Sequence, residues 1–196
     1  MAGAGSGKTK VLIYKTVWLI KEKKVNPKNI LLTTFTNKAT EEMKQRIKKM
    51  LTAQNSQSAL PYISTFHSFC AYILREKGEY LNIPSSYLIY DKKDQLDLIK
   101  QVSKILGLDQ NKDKPRAILK AILSAKNSLI GPKEYKNYTY GSFQKTVAKA
   151  YSLYQKLLDE YQAVDFGDLI FKTVSLFKKN LKILKSYQNR FQYILV

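Results

Sequence analysis

Residues 2–9 read AGAGSGKT, a glycine-rich stretch closed by Lys-Thr and followed at once by the mostly apolar segment KVLIYKTVWLIKEKK. Such a loop can turn several backbone N–H groups toward one anion, because glycine permits the backbone angles and the close approach that this requires. Gly3, Gly5 and Gly7 supply that freedom, with Ala2, Ala4 and Ser6 between them. In a loop of this pattern Lys8 reaches the β- and γ-phosphates of a nucleotide and the Thr9 hydroxyl sits on Mg²⁺. A helix starting here and running on through Lys10 aims the positive end of its dipole at the same phosphates. The pattern usually takes glycine first, where this chain has Ala2. The expectation is an ATP–Mg²⁺ cradle over residues 2–10. Only Met1 stands before it, so the strand that ordinarily delivers such a loop is not part of this sequence.

Beyond the first helix, ILLTTF (30–35) and YISTF (62–66) are short apolar, β-branched runs of the kind that form buried strands. Each is followed by a helical pattern. TNKATEEMKQRIKKML places Met43, Ile47, Met50 and Leu51 on one face and spaces Glu42 and Arg46 as an i,i+4 pair on the other, and HSFCAYILREKG stops at Gly78. Strand, helix, strand, helix predicts a parallel sheet with helical crossovers. From about residue 84 to 163 strand signals vanish. Leu96, Ile99, Val102 and Leu106 mark one amphipathic helix there. Ile118, Leu119, Ile122 and Leu123 mark a second, and Phe143, Val147, Tyr151, Tyr154, Leu158 and Tyr161 a third. DFGDLIFKTVSLF then reads as a helix, and FQYILV as one more buried strand.

The composition is that of a folded chain, with 44% hydrophobic residues over 196. Lys and Arg number 34 against 15 Asp and Glu, a formal charge of +19 that suits a polyanionic partner. One cysteine, Cys70, excludes an internal disulfide framework, and one histidine makes a metal site improbable. No apolar run is long enough to span a bilayer, so a cytoplasmic location without a membrane partner is expected.

Three stretches behind the loop place aromatic and polar residues at the starts of helices. In TTFTNKATEEMKQRI (33–47), Phe35, Thr36, Asn37 and Lys38 stand where a strand enters a helix. In ISTFHSFCAYILRE (63–76), Thr65, Phe66, His67 and Ser68 repeat the arrangement, and Phe166 of DFGDLI (165–170) is a third aromatic beside a helix start. Single strands of nucleic acid bind through charge along the backbone and through aromatic faces on which bases stack. The same residues also have plainer readings. Phe35 and Phe66 fit strand-end core positions, His67 fits a helix cap, and Asp165 or Asp168 fits an ordinary N-cap.

Taken in order, the loop and these three stretches closely resemble the UvrD/PcrA/Rep group of superfamily 1 DNA helicases. The resemblance includes the helical block, through PRAILKAILSAKNSLI and YQKLLDEYQAVDF. It implies a P-loop, RecA-like parallel sheet over 1–83 and 164–196, with 84–163 as an inserted, mainly α-helical subdomain. It further implies ATP and Mg²⁺ as cofactors, 3′→5′ movement on single-stranded DNA, and contact with single/double-strand junctions. Phe35, Thr36, Asn37, Lys38, Thr65, Phe66, His67 and Phe166 would line the single-strand channel. By the same resemblance FQYILV leads toward the acids that hold Mg²⁺ and orient the attacking water, and a second RecA-like domain carries the arginines. Those parts, and an upstream adenine-reading glutamine, would lie in the remainder of the helicase, leaving this piece catalytically inactive alone. Gly167 stands where relatives often carry a second acid. A non-catalytic nucleic-acid-binding module is the alternative, and an unrelated P-loop phosphotransferase fits the three downstream stretches poorly.

Overall fold

The computed structural model describes residues 7–52, 59–108 and 114–196, with Lys8 described in its backbone alone. Ala2, Gly3, Ala4, Gly5 and Ser6 of the expected cradle lie outside the described residues. The described elements begin with α1 (Lys8–Lys21), β1 (Ile30–Thr34), α2 (Asn37–Thr52), β2 (Tyr62–Thr65) and α3 (Phe66–Lys77). They continue with β3 (Leu88–Tyr90), α4 (Lys92–Ile105), α5 (Pro115–Asn127), the single turn α6 (Pro132–Tyr135) and α7 (Ser142–Glu160). Last come β4 (Ala163–Asp165), α8 (Phe166–Lys179), α9 (Leu181–Arg190) and β5 (Tyr193–Leu195). None of the described helices is long and apolar enough to cross a membrane. The chain divides into two compact units, residues 1–69 with 180–196, and residues 70–179.

The first unit is built on a parallel sheet in the order β2–β1–β5, as the strand–helix alternation predicts. Leu31 to Thr34 run beside Tyr62 to Thr65, and Ile30 to Leu32 beside Tyr193 to Leu195. β1 is buried along its whole length because it has a strand on both sides and helices against it. Ile13, Val17, Ile30, Leu32, Met43, Ile47, Leu51 and Ile63 form one core. The i,i+4 spacing of Met43, Ile47 and Leu51 turns one stripe of α2 into it, while Glu42 and Arg46 pair on the exposed side. Tyr62, Phe69 and Phe191 form an edge-to-face trio with ring centroids 5.6–5.9 Å apart, which fastens the start of α3 to the residue after α9. β5 departs from expectation. Tyr193 and Ile194 are exposed rather than buried, because β5 is the edge of the described sheet and has only β1 as a neighbour.

The second unit is mainly helical. Leu98, Ile99, Val102, Ile118, Ile122, Val147, Tyr151, Tyr154 and Leu158 pack α4, α5 and α7 together, following the apolar periodicity of each segment. Phe143 and Tyr161, at the two ends of α7, are exposed. The stretch expected to lack strands contains β3, which pairs in parallel with β4 through Leu88↔Ala163, Ile89↔Val164 and Tyr90↔Asp165. Three-residue strands are too short for alternation to register, so the pattern alone could not reveal them. Consequently Asp165 ends a strand, and α8 begins at Phe166. The insertion boundaries expected from the sequence, 84 and 163, both fall inside this unit. Here Ile83, Tyr87, Val164 and Leu169 share a cluster with Leu74 of α3.

Candidate nucleotide and nucleic-acid site

Gly7 is the residue before α1 and takes the left-handed conformation, φ +75°, that any side chain would resist. Its carbonyl accepts the Val11 N–H at 3.0 Å, so the loop enters the helix directly. The first turn of α1 contains no acidic residue, and Thr9 and Lys10 are exposed there. Helix N-terminal N–H groups, a left-handed glycine before them and no opposing carboxylate suit a phosphate group. Among the described residues, Gly7 and the first turn of α1 are therefore compatible with the phosphate end of the nucleotide that the loop pattern implies.

At the C-terminal ends of β1 and β2 the chain repeats one local design. Thr36 Oγ1 accepts the Ala39 N–H at 3.1 Å and caps α2, and Thr65 Oγ1 accepts the Ser68 N–H at 3.1 Å and caps α3. Thr34 and Thr40 share a 2.6 Å hydroxyl–hydroxyl bond beneath the first cap, and Thr65 and Ser68 share one of 2.8 Å in the second. These bonds fix where the two helices start, and with them the directions of the aromatics. Phe35 is 87% exposed, which removes the core reading for it, and Phe66 is half-buried. The two rings lie together, centroids 5.8 Å apart and planes tilted by 48°. Asn37, Lys38 and His67 are exposed in the first turns of their helices. Beside them a cavity of about 250 Å³ is lined by Asn37, Thr40, Glu41, Lys44, Ser64, Thr65 and Ser68. Ser64 Oγ, on its wall, and Thr33 Oγ1 are buried without a hydrogen-bond partner among the described residues.

Phe166 belongs to the second unit, 46% exposed at the first position of α8. It is flanked by two fully buried carboxylates. Asp165 Oδ1 accepts the Asp168 N–H at 2.8 Å, and Asp168 Oδ2 faces the Asp165 N–H at 3.4 Å, a reciprocal cap. Asp91 and Asp94 make the same box at the start of α4, but in solvent. The buried box has an additional partner. Lys126, on α5 and buried to its tip, donates to Asp165 Oδ2 at 2.7 Å and makes an ion pair with Asp168 Oδ1 at 2.9 Å. Tyr154 donates its hydroxyl to Asp165 Oδ2 at 3.1 Å, and the Lys126 ammonium lies 5.2 Å from the centre of the Tyr154 ring. Burial and the neighbouring Asp168 carboxylate push the Asp165 pKa above the usual range, against the pull of Lys126. Burial and Asp165 likewise push the Tyr154 phenol upward.

Gly167 now has a physical reason. A Cβ there would stand 3.1 Å from Lys126 Cδ and 3.2 Å from Asp165 Oδ1, so the lysine stem passes where a side chain would be. The plain N-cap reading of Asp165 and Asp168 is correct as far as it goes, but it misses Lys126 and Tyr154. One signal for Lys126 was present: it lies four residues after Ile122, on the apolar face of α5, where an unpaired lysine would be costly.

Parallel strands joined by helical crossovers, with caps, aromatics and hydroxyls gathered at their C-terminal ends, place this chain in the α/β class, in which ligands are generally met at those ends. Over its whole length, residues 1–196, it matches the sequence profile of the UvrD/REP helicase N-terminal domain, and it belongs to that family. Over 194 residues it is 45% identical to the ATP-dependent DNA helicase PcrA of Bacillus subtilis strain 168. The corresponding identities are 42% for PcrA of Staphylococcus aureus strain Mu50 and 41% for PcrA of Leuconostoc citreum. Each match covers 99% of this chain and 26% of the relative, so the chain spans about a quarter of the length of these helicases.

Proposed function

We propose that this chain is the part of an ATP-dependent 3′→5′ DNA helicase that holds ATP–Mg²⁺ and one face of the single-strand path. In this reading residues 1–83 and 164–196 are a RecA-like ATP-binding domain and 84–163 its helical insertion. Gly7, the first-turn N–H groups of α1 and Lys8 hold the phosphates, and Thr9 holds Mg²⁺. When bound, ATP supplies the phosphoryl transfer that drives stepping, and its Walker B acids and arginines come from the remainder of the longer polypeptide. That polypeptide acts on single strands and their junctions with duplex.

The observation that carries the DNA half of the proposal is the exposed Phe35–Phe66 pair at adjacent strand ends. An 87% exposed phenylalanine contributes no burial to the fold and leaves its face open to a stacking partner, and a base is flat, apolar on its faces and attached to the anion that a +19 chain attracts. Asn37, Lys38 and His67, exposed in the first turns of α2 and α3, add polar groups suited to phosphate, while Thr65 holds the start of α3 through its cap.

Fluorescence anisotropy with a labelled oligo-dT tests this. Binding should weaken linearly in log Kd against log salt. Phe35→Ala or Phe66→Ala should each weaken it by about 1–3 kcal/mol, roughly five- to 150-fold in Kd. Binding that ignores salt, or that survives both substitutions unchanged, would refute the channel.

A further inference from the structure

Phe166 leaves the chain at a point held by buried charge. Asp165 is tied on one side into β4 by the Tyr90↔Asp165 register, and Phe166 follows it as the first residue of α8. From Asp165 to Asp168 the backbone is gripped at both ends by the reciprocal carboxylate cap, and both carboxylates are gripped by the one ammonium of Lys126. The lysine stem lies against Gly167, so the turn is pinned at Asp165, Gly167 and Asp168, with Phe166, 46% exposed, between them. Lys126 is itself held by helical elements, at the end of α5 and beside Tyr154 of α7.

Stability alone is a poor reason for this cluster. One ammonium against two carboxylates keeps excess negative charge out of water, and apolar replacements of buried ion clusters are often as stable or more so. What apolar packing does not supply is a fixed direction for a short turn. α4 needs no such clamp, because its exposed Asp91–Asp94 box starts the helix without a lysine.

We propose that Lys126 is a positioning residue for single-stranded DNA binding, clamping Asp165 and Asp168 so that Phe166 is presented to a base. The proposal rests on the reading of Phe166 as a stacking residue. It assigns the direction of that aromatic to α5 and α7, elements of the stretch expected to be an insertion.

A double-mutant cycle on the 196-residue chain decides it, with oligo-dT anisotropy as the readout and urea midpoints as the check on folding. Phe166→Ala alone tests the underlying reading and should weaken binding at least about fivefold. Lys126→Arg keeps the charge but replaces a compact ammonium by a planar fork in a site with no spare room, and should weaken binding about three- to tenfold. In the Phe166→Ala background the same change should have no further effect, since Lys126 acts through that ring. Tyr154→Phe removes only the hydroxyl donated to Asp165 and runs the same cycle should Lys126→Arg lower the urea midpoint. If Phe166→Ala leaves binding intact, the stacking reading falls and the positioning role with it. If Phe166→Ala weakens binding while the Lys126 and Tyr154 variants do not, or if their effects multiply in full with it, the positioning role alone is overturned.

Discussion

Lys126→Met should lower the unfolding free energy of this chain by about 3–5 kcal/mol, the usual cost of stripping one partner from a buried ion pair. Methionine fills nearly the same space, so the loss is electrostatic rather than a cavity. Asp165 Oδ2 would keep only the Tyr154 hydroxyl, and Asp168 Oδ1 would lose its cation, with both side chains fully buried. The pH dependence has a definite sign. Asp165 already has a folded-state pKa above its unfolded value, and losing Lys126 raises it further. A carboxyl raised in this way holds its proton in the folded state after the unfolded state has released it, so stability falls as pH rises through that window. The deficit of Lys126→Met relative to the parent should therefore be largest near neutral pH and shrink toward pH 4, where a proton on Asp165 leaves one buried carboxylate charge instead of two. Urea unfolding of both proteins at the two pH values measures it. A companion triple variant, Lys126→Met with Asp165→Asn and Asp168→Asn, should recover much of the loss. A deficit below about 1 kcal/mol at neutral pH would mean that water or relaxation reaches the cluster and that its burial is not what holds the turn.

Where sequence and structure part company, the scale of the feature explains it. ILLTT and YIST are buried on both faces, so their apolar runs are legible and their parallel pairing follows from the helices between them. β3 and β4 are three residues each and owe their pairing to the helices on either side, which no local pattern encodes. Tyr193 and Ile194 read as buried because they are apolar, yet burial at a sheet edge depends on a neighbour and not on the residue. In the candidate site the residue types were readable and their duties only partly so. Thr36 and Thr65 stand where the motif reading puts them, and both hydroxyls also cap a helix, which ties the placement of Phe35 and Phe66 to the caps. Phe35 could be core or surface by sequence, and only its 87% exposure separates the two. Lys126 illustrates the hardest case. Its partners lie 39 and 42 positions further along the chain, so the pairing is a tertiary fact even though its place on an apolar helix face is not.

A polypeptide of these 196 residues alone should turn over ATP at well under about 1 s⁻¹, the low end of ordinary enzymes, despite its Gly-Lys-Thr. Phosphoryl transfer depends on positioning and on stabilising charge as it develops, and the cradle supplies only the first of these. In the proposed site Lys8, Thr9 and the head of α1 hold phosphate and Mg²⁺, but a metal-binding acid and a water-orienting acid are needed beside them. The paired carboxylates that come nearest in character, Asp165 and Asp168, are committed to Lys126 and to the start of α8, fully buried, and cannot serve without breaking that cluster. An arginine finger alone is worth about 10³–10⁵ in rate, and the family resemblance puts it outside these residues. Phosphate release by highly purified protein, with Lys8→Ala alongside, measures the outcome, and a longer polypeptide carrying the acids and arginines should restore Lys8-dependent turnover. Turnover above about 1 s⁻¹ by the 196 residues, abolished by Lys8→Ala, would show a catalytic site complete within them. The division of labour proposed here, a phosphate cradle and a single-strand face in this chain with the hydrolytic acids and arginines elsewhere, would then be wrong.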